Sequence, residues 1–430
     1  MPGGRILPFQ LNFRDLGDYF RNARVEVVLT ILGFASGIML ARGLGPGGRG
    51  QLTAAMMWPA LIGMLISIGL THAFAYAVGI GWASPERLRR LGLIYTIVVG
   101  IPAMALYACL CPFIFHAQFP NEMWIPMTFA LSIPLTLLSG LLYPIYQGSG
   151  SFRYWNIGRV FQGGAWTVLL IAMMLFHHLT VIKLLLFQLG ILALLGVYLF
   201  INVPRLRSRE GKEGPARMGN IFSYGRAIYI SSIAYMVSQR LDQLLLSLWV
   251  TPSELGQYAV SVTLSGTLLL IPSAVGPILF SKMAMNSDEP ANQEIHQRNV
   301  LRLALVFLMP AGLFLTVAGP WLTQVIFGPT FSRAGNILQV LAPATVLLAV
   351  SNVLSDMLRG VGKPMYSTYG LLAGMVLTLL GLFWALPRFG IWGAAWVSLG
   401  AYATMMAVQF VFWRRWKSRY LLVAPSSAIP

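Results

Sequence analysis

The stretch LGLIYTIVVGIPAMALYACLCPFIFH, from Leu91 to His116, contains no Asp, Glu, Lys or Arg over 26 residues. A helix needs about 20 mostly apolar residues to cross a bilayer, so this run predicts a membrane-spanning helix. The rest of the chain has the same character: 57% of its 430 residues are hydrophobic, 10% are charged, and its mean hydropathy is +0.71. Soluble domains carry about 25% charged residues. The composition therefore excludes a water-soluble enzyme.

Similar apolar runs, bounded by Pro, Gly and charge clusters, predict twelve spans. They cover 24–42, 52–80, 91–116, 122–147, 155–175 and 179–203 in the first half, and 222–250, 254–281, 299–319, 333–359, 365–386 and 389–413 in the second. The predicted fold class is an all-α polytopic membrane protein with twelve transmembrane helices.

The chain is strongly basic, with 30 Lys and Arg against 13 Asp and Glu and a net charge of +17. Basic residues in short loops stay on the cytoplasmic side of a membrane. With the N-terminus inside, 24 of the 30 fall in cytoplasmic segments, and the other six are Arg42, Arg49, Lys183, Arg240, Arg333 and Arg388. Topology thus explains the charge, so we expect no nucleic acid partner and two cytoplasmic termini.

The two halves contain matching short segments. Pro46, Gly50 and Gln51 recur as Pro252, Gly256 and Gln257 at an offset of 206; Gly148, Gly150, Tyr154 and Gly158 recur as Gly360, Gly362, Tyr366 and Gly370 at an offset of 212. Repeats of six spans keep the same orientation, so the halves should be parallel pseudo-repeats related by an axis along the membrane normal. Such repeats enclose a midplane site in transporters.

Five segments follow from this pattern. We predict an N-terminal interfacial amphipathic segment (1–21), a six-helix bundle (22–203), a basic cytoplasmic linker (204–220), a second six-helix bundle (221–415) and a cytoplasmic tail (416–430). The first segment spaces Phe9, Phe13, Leu16 and Phe20 on one face, as helices at a membrane surface do. No cleavable signal peptide is expected.

The predicted seventh span places polar residues near its middle. At about 100° per residue, one arc collects Ser231, Ser232, Tyr235, Gln239, Asp242 and Gln243, with Arg240 at its edge. A charge at the bilayer centre costs about 2.5–3.5 kcal/mol, so such residues face a cavity or a partner. Two interpretations follow: these side chains contact a substrate or coupling ion, or a neighbouring helix satisfies them as a structural contact.

Three further ionisable residues lie within predicted spans and are candidates for ion coupling. Glu26 is either a residue near the membrane surface or a cavity carboxylate, and it shares a face with Gly33 and Gly37, a GxxxG pattern typical of close helix packing. Asp356 lies three residues before Arg359, which favours a local ion pair. His72 could carry a proton or be a hydrogen-bonded structural histidine.

Several motif matches carry no chemistry. Gly43, Gly45 and Gly48 fit GxGxxG but follow an apolar helix, and no Walker A loop is present, so we expect no nucleotide. Thr251, Pro252 and Glu254 predict a helix N-terminus, as do Ser84 and Pro85. Cys109 and Cys111 are expected as small buried residues. With His116 they lack a fourth metal ligand, so we expect no metal and no cofactor other than coupling H⁺ or Na⁺.

Four segments resemble the polysaccharide-exporter, or O-antigen flippase, branch of the multidrug/oligosaccharidyl-lipid/polysaccharide (MOP) transporter superfamily. They are LARGLGPGGRGQLTAA (Leu40–Ala55), YQGSGSFRYWNIGR (Tyr146–Arg159), RLDQLLLSLWVTPSELGQYAVS (Arg240–Ser261) and LRGVGKPMYSTYG (Leu358–Gly370). The resemblance implies two six-helix bundles around a central lumen and alternating access. It implies flipping of undecaprenyl-diphosphate-linked oligosaccharide to the outer leaflet for O-antigen or exopolysaccharide synthesis.

The resemblance also implies a cationic lumen, for which Arg24, Arg49 and Arg240 are the matching candidates beside the acid Asp242. It implies the bacterial inner membrane as the location, with the lipid-linked oligosaccharide and membrane lipids as partners. A polysaccharide polymerase and other assembly proteins are further candidate partners. Membrane potential alone, H⁺ or Na⁺ could drive transport.

Three alternatives stay open. A drug or cation antiporter of the same superfamily would need an acidic lumen, which Arg240 argues against. Lipid II flippases typically carry two more C-terminal spans, whereas this chain ends seventeen residues after the predicted twelfth span. A membrane glycosyltransferase or polymerase would need a sizeable external loop with catalytic groups, and every predicted external loop is short, so we expect no enzyme.

Overall fold

The computed structural model describes residues 13–176, 178–206, 218–270, 272–273, 290–360 and 363–423. Their helices are α1 (Phe13–Ser67), α2 (Leu70–Gly79), α3 (Pro85–Tyr95), α4 (Ile101–Ile114), α5 (Trp124–Thr128), α6 (Ser132–Gly148), α7 (Phe152–Leu175), α8 (Val181–Asn202), α9 (Met218–Trp249), α10 (Pro252–Ser265), α11 (Pro290–Phe327), α12 (Ser332–Gly360) and α13 (Pro364–Val423). These residues contain no β-strand. A π-helical turn, Thr96–Gly100, joins α3 to α4.

Eight helices in the described residues are long and apolar enough to cross a membrane. Two of them, Val27–Ser67 and Pro364–Trp416, have 41 and 53 residues, or about 60 and 80 Å at 1.5 Å per residue. Both exceed a hydrocarbon core of about 30 Å, and each breaks at a glycine with positive φ, Gly45 or Gly390. The prediction of an all-α polytopic membrane protein is confirmed, whereas the count of twelve spans stays a prediction.

The five predicted segments stay predictions. Residues 1–12 and 207–217 lie outside the described residues, as does the end of the tail from 424 onward. The backbone from Phe13 is already helical and continues into α1 without a break before Gly45. Its first eleven side chains also lie outside the described residues, so the amphipathic face is not tested.

Both predicted helix starts are confirmed. The Ser84 side chain accepts a hydrogen bond from the Arg87 amide at the start of α3. At α10, Thr251 and Glu254 form a capping box in which each side chain bonds the other residue's backbone amide. These caps satisfy amides that would otherwise lack a partner at the helix start.

Two packing predictions are wrong in part. Cys111 is buried but Cys109 is exposed, because residues two apart on a helix point to different sides. The close packing predicted at Gly33 is absent: a methyl group added there would meet nothing within 4 Å. At Gly37 it would meet the Thr263 methyl carbon at 3.4 Å, an ordinary contact.

The two halves meet at one end of the bundle through a reciprocal contact of glycine with proline. A methyl group on Gly50 would lie 1.8 Å from the Pro252 carbonyl oxygen, and one on Gly256 would lie 1.9 Å from the Pro46 carbonyl oxygen. Only glycine allows the backbones to approach so closely. We call this end of the molecule the closed end.

Hydrogen bonds at the closed end follow the sequence repeat. The Gln51 side chain donates to the Gln118 carbonyl at 2.9 Å, and the Gln257 side chain donates to the Thr330 carbonyl at 2.7 Å. Gln257 also accepts from the Ala334 amide. The two glutamines, Gln51 and Gln257, are 206 residues apart, and their acceptors, Gln118 and Thr330, are 212 residues apart. These are the two offsets of the sequence repeat. The two halves are therefore equivalent in contacts as well as in sequence.

Further hydrogen bonds cross between the halves at the closed end. Arg42 donates to the carbonyls of Val325 and Ile326, at 2.6 and 2.8 Å, near the C-terminus of α11. The buried Gln118 side chain donates to the Val250 carbonyl at 2.8 Å, just after α9. Arg42 and Gln118 therefore donate to carbonyls that a helix end leaves without an intrahelical partner.

A second glycine contact joins the halves at the break between α1 and α2. A methyl group on Gly69 would lie 2.1 Å from the Gly225 carbonyl oxygen of α9. The helix breaks here, because Ile68 and Gly69 both have positive φ. The Tyr95 hydroxyl donates to the Ile66 carbonyl beside the break at 2.5 Å. The second contact is also reciprocal, since a methyl group on Gly225 would lie 3.0 Å from the Gly69 carbonyl oxygen, and the Tyr229 hydroxyl of α9 donates to the Leu65 carbonyl nearby.

A buried hydrogen-bond network ties α12 to α13. The side-chain amide of Gln409 accepts a hydrogen bond from Ser351 at 2.7 Å and donates one to Ser355 at 2.9 Å. Ser367 also donates to Ser355, at 2.9 Å. All four side chains are buried, so their polar atoms depend on one another for partners. The network fixes the two helices as one unit.

We predict that Gly50→Ala opens the closed end. Its methyl group needs about 3.4 Å where 1.8 Å is available, so the halves must separate by about 1.5 Å or more. Spin labels at Gly47→Cys and Ser253→Cys, in a background without the native cysteines, should report a longer distance. Gly140→Ala, where a methyl group meets nothing within 4 Å, should leave it unchanged. An unchanged distance with Gly50→Ala would contradict the prediction.

We also predict that Gln409→Leu destabilises the protein, by about 1–3 kcal/mol for each hydroxyl left buried without a partner. The apparent melting temperature of the purified protein should fall measurably. Gln147→Leu is the matched control, since Gln147 is exposed at the end of α6. Equal melting temperatures for the two variants would show that the network contributes nothing.

Candidate functional site

A cavity of about 450 Å³ lies between the two halves. It is lined by Arg49, Thr53, Met56 and Met57 of α1, Gln239, Arg240, Asp242 and Gln243 of α9, Val262, Thr263 and Ser265 of α10, Thr345 and Leu348 of α12, Tyr402 of α13, and three neighbouring residues. We call it the central cavity. Five predicted site residues, Arg49, Gln239, Arg240, Asp242 and Gln243, thus come together although Arg49 is about 190 residues from the other four.

The carboxylate of Asp242 is held by side chains from other helices. Its Oδ2 accepts from the Tyr258 hydroxyl at 2.6 Å and from the Ser398 hydroxyl at 3.5 Å. Its Oδ1 accepts from the backbone N–H of Gln243, the next residue of α9, at 2.7 Å. The residue is only 4% exposed. A buried charge needs such partners, because burial without them costs several kcal/mol. Part of the predicted structural interpretation therefore applies to Asp242.

The arginine and glutamine side chains of the cavity have fewer hydrogen-bond partners than Asp242. Arg49 Nε, Gln239 Nε2 and Gln243 Nε2 are buried and have no hydrogen-bond partner within the described part of the chain. Arg240 is exposed and forms no ion pair with Asp242 among the described residues. Buried donors normally have partners, so these nitrogens are available to an acceptor, either water or a ligand, in the cavity.

A second cavity, of about 820 Å³, shares the lining residue Leu269 with the central one. His72 and Asp356, both predicted coupling candidates, line it. Asp356 forms the predicted local ion pair with Arg359, at 3.7 Å between Oδ1 and Nη1. The structure therefore separates Asp356 and His72 from Asp242 of the central cavity.

Two other predicted residues are not brought to the central cavity. Arg24 is exposed near the start of α1 and is not among the residues that line the cavity. The Glu26 side chain lies outside the described residues. The roles predicted for both stay predictions.

Sequence reasoning missed Tyr258, Ser398 and Tyr402, which surround Asp242 or line its cavity. Ser398 lies 156 residues from Asp242, so no local pattern connects the two. A signal was available for Tyr258, which follows the repeated Pro252, Gly256 and Gln257 in an otherwise apolar span. A buried tyrosine hydroxyl usually needs a hydrogen-bond partner.

The sequence profile of a family described as "Polysaccharide biosynthesis protein" matches residues 39–334, which include Arg49, Asp242 and Tyr258. The match covers more than half of the chain. The chain belongs to the polysaccharide biosynthesis protein family. The predicted resemblance is thereby confirmed at the level of the family.

Relatives of this family member occur in archaea and bacteria. A Haloferax volcanii protein whose name includes "low-salt glycan biosynthesis flippase" is 23% identical over 41% of this chain and 38% of its own length. An uncharacterized membrane protein of Methanocaldococcus jannaschii is 22% identical over 50% of this chain and 44% of its own length. The chain thus spans less than half of these two relatives. A Shigella flexneri protein whose name includes "O-antigen transporter" is 22% identical over 85% of this chain and 90% of its own length.

Solved transporter structures share the fold of this family member. A lipid II flippase in an inward closed conformation has a TM-score of 0.76 at 11% identity, covering 91% of this chain and 87% of that one. An inward-facing multidrug resistance MATE transporter of the MOP superfamily has a TM-score of 0.73 at 13% identity, covering 92% and 96%. Two of the three sequence relatives carry the name of a flippase or a transporter, in agreement with the prediction that this chain is not an enzyme.

We predict that Tyr258→Phe lowers stability by removing a donor from the buried Asp242 carboxylate. A hydrogen bond to a charged group contributes about 1.5–3 kcal/mol, so the apparent melting temperature should fall. Tyr369→Phe serves as the control, because Tyr369 is 44% exposed. If Tyr258→Phe has the same apparent melting temperature as the native protein, the stability of the buried carboxylate does not depend on this hydroxyl.

Proposed function

We propose that this protein flips an undecaprenyl-diphosphate-linked oligosaccharide across the cytoplasmic membrane and holds its diphosphate in the central cavity. One observation carries the proposal. The cavity combines two arginines, Arg49 and Arg240, with two glutamines whose buried amide nitrogens lack partners within the described residues. Its one acid, Asp242, already accepts hydrogen bonds from Tyr258 and Ser398.

A diphosphate matches this set of donors. Phosphate oxygens only accept hydrogen bonds from such groups, and arginine binds them through short charge-assisted bonds. The arginines come from different halves, Arg49 from α1 and Arg240 from α9. A ligand bound to both would therefore link the halves, as a transported substrate must if the two bundles move around it.

Family membership and the relatives' names support the lipid-linked class of substrate. With the basic ends of the helices in the cytoplasm, the closed end faces outward and the central cavity lies between it and the cytoplasmic side. Moving negative charge outward across an inside-negative membrane is favourable by about 2.3 kcal/mol per charge per 100 mV. We propose that the potential contributes to transport, with proton or sodium coupling tested separately.

We predict that Arg49→Gln and Arg240→Gln each slow flipping of a fluorescent undecaprenyl-diphosphate oligosaccharide in proteoliposomes. Loss of one charge-assisted bond of about 1.5–3 kcal/mol corresponds to a decrease of about 10- to 100-fold. Arg388→Gln is the control, since Arg388 is exposed and donates to the Trp384 carbonyl of its own helix. An imposed inside-negative potential should accelerate the native protein.

Two outcomes would contradict the proposal. Flipping that is unaffected by either arginine substitution would show that the central cavity does not hold the diphosphate. Export of small organic cations that is lost in Asp242→Asn, without any lipid flipping, would instead support the antiporter alternative.

A further inference from the structure

The second cavity adjoins the central one along a single polar stripe of α9. Ser232 and Tyr235 line the second cavity, and Gln239 and Gln243 line the central one. Their spacing of three, four and four residues places them on one helix face. Both cavities also share the lining residue Leu269, so they are neighbours along this stripe.

The second cavity differs from the first in its charge. The central cavity presents two arginines and one already bonded acid. In the second cavity, the cation Arg359 is paired at 3.7 Å with Asp356, so the pair adds no net charge. Among the described residues that line this cavity, the other polar ones are neutral hydroxyl and amide side chains together with His72. This cavity therefore suits an uncharged polar ligand better than a second anion.

The mixture of donors and acceptors matches a saccharide. Each sugar hydroxyl both donates and accepts a hydrogen bond, so its binding site needs both kinds of group. Asp356 supplies carboxylate acceptors, Arg359 supplies donors, and the Asn352 amide supplies both. The Tyr235 ring is 41% exposed and offers an apolar face with a polar tip.

The dimensions agree with this chemistry. At about 820 Å³ the second cavity is almost twice as large as the central one, at about 450 Å³. Ligand pockets typically measure about 300–1,000 Å³. The larger cavity thus has room for a ligand portion bulkier than a diphosphate.

We infer that the second cavity is the subsite for the saccharide of the transported lipid, and that Tyr235, Asn352 and Asp356 contact the sugar rings. This inference rests on the proposed function, since the diphosphate in the central cavity positions the saccharide beside α9. The two cavities then divide recognition: the arginines bind the part common to all such lipids, and the second cavity discriminates between glycans.

Competition binding to the full-length protein in nanodiscs tests the subsite. The reporter is radiolabelled undecaprenyl diphosphate. The competitors are unlabelled undecaprenyl diphosphate and the lipid-linked saccharides extracted from membranes of cells that carry the protein. We expect the native protein to bind the extracted lipids at least about tenfold more tightly than the bare diphosphate. Tyr235→Ala and Asn352→Ala should abolish that preference while leaving bare-diphosphate binding unchanged, which also reports correct folding.

The controls separate this inference from the proposed function. Arg240→Gln should weaken the binding of both competitors. Asn121→Ala, at an exposed residue outside both cavities, should weaken the binding of neither. A native protein that binds both lipids equally would overturn the saccharide subsite and leave the diphosphate site standing. Equal weakening of both lipids by Tyr235→Ala or Asn352→Ala would also overturn the subsite. Failure of undecaprenyl diphosphate to bind at all would refute the proposed function, and the subsite with it.

Discussion

The reciprocal contact of Gly50 with Pro252 and of Gly256 with Pro46 is the constraint on which the arrangement of the two halves depends. Backbone atoms approach there as closely as glycine permits. The central cavity lies between the halves, next to this contact. The same contact places Arg49, next to Gly50, beside the polar residues of α9. One backbone contact thus both closes an end and assembles the site.

The two halves meet at two places along their length. At the closed end, two glycine contacts are supplemented by hydrogen bonds from Arg42 and Gln118 to helix termini of the other half. The second contact combines Gly69 and Gly225, beside a helix break, with a hydrogen bond from the Tyr229 hydroxyl to the Leu65 carbonyl. Alternating access requires two arrangements of similar free energy. Opening the closed end would break its hydrogen bonds, so under the proposed function a ligand bound to both halves offsets that loss.

Polar residues within the membrane domain divide into two kinds. Asp242 and the Gln409 network are bonded by partners from other helices, and so contribute rigidity. Arg49, Gln239 and Gln243 keep donor atoms without partners in the described residues, which is costly unless a ligand or water accepts them. The central cavity thus presents several hydrogen-bond donors together with two arginines.

The sequence by itself determined the all-α membrane class, both capped helix starts and the repeat, because hydropathy, capping and glycine spacing act over a few residues. It also indicated the polar face of α9, since helical periodicity is local. Only the tertiary structure decided that Arg49 joins that face, that Tyr258 and Ser398 bind Asp242, and that His72 and Asp356 line another cavity. Such contacts link residues more than a hundred positions apart, or different helices, and depend on how the two halves pack. No local sequence pattern encodes that packing.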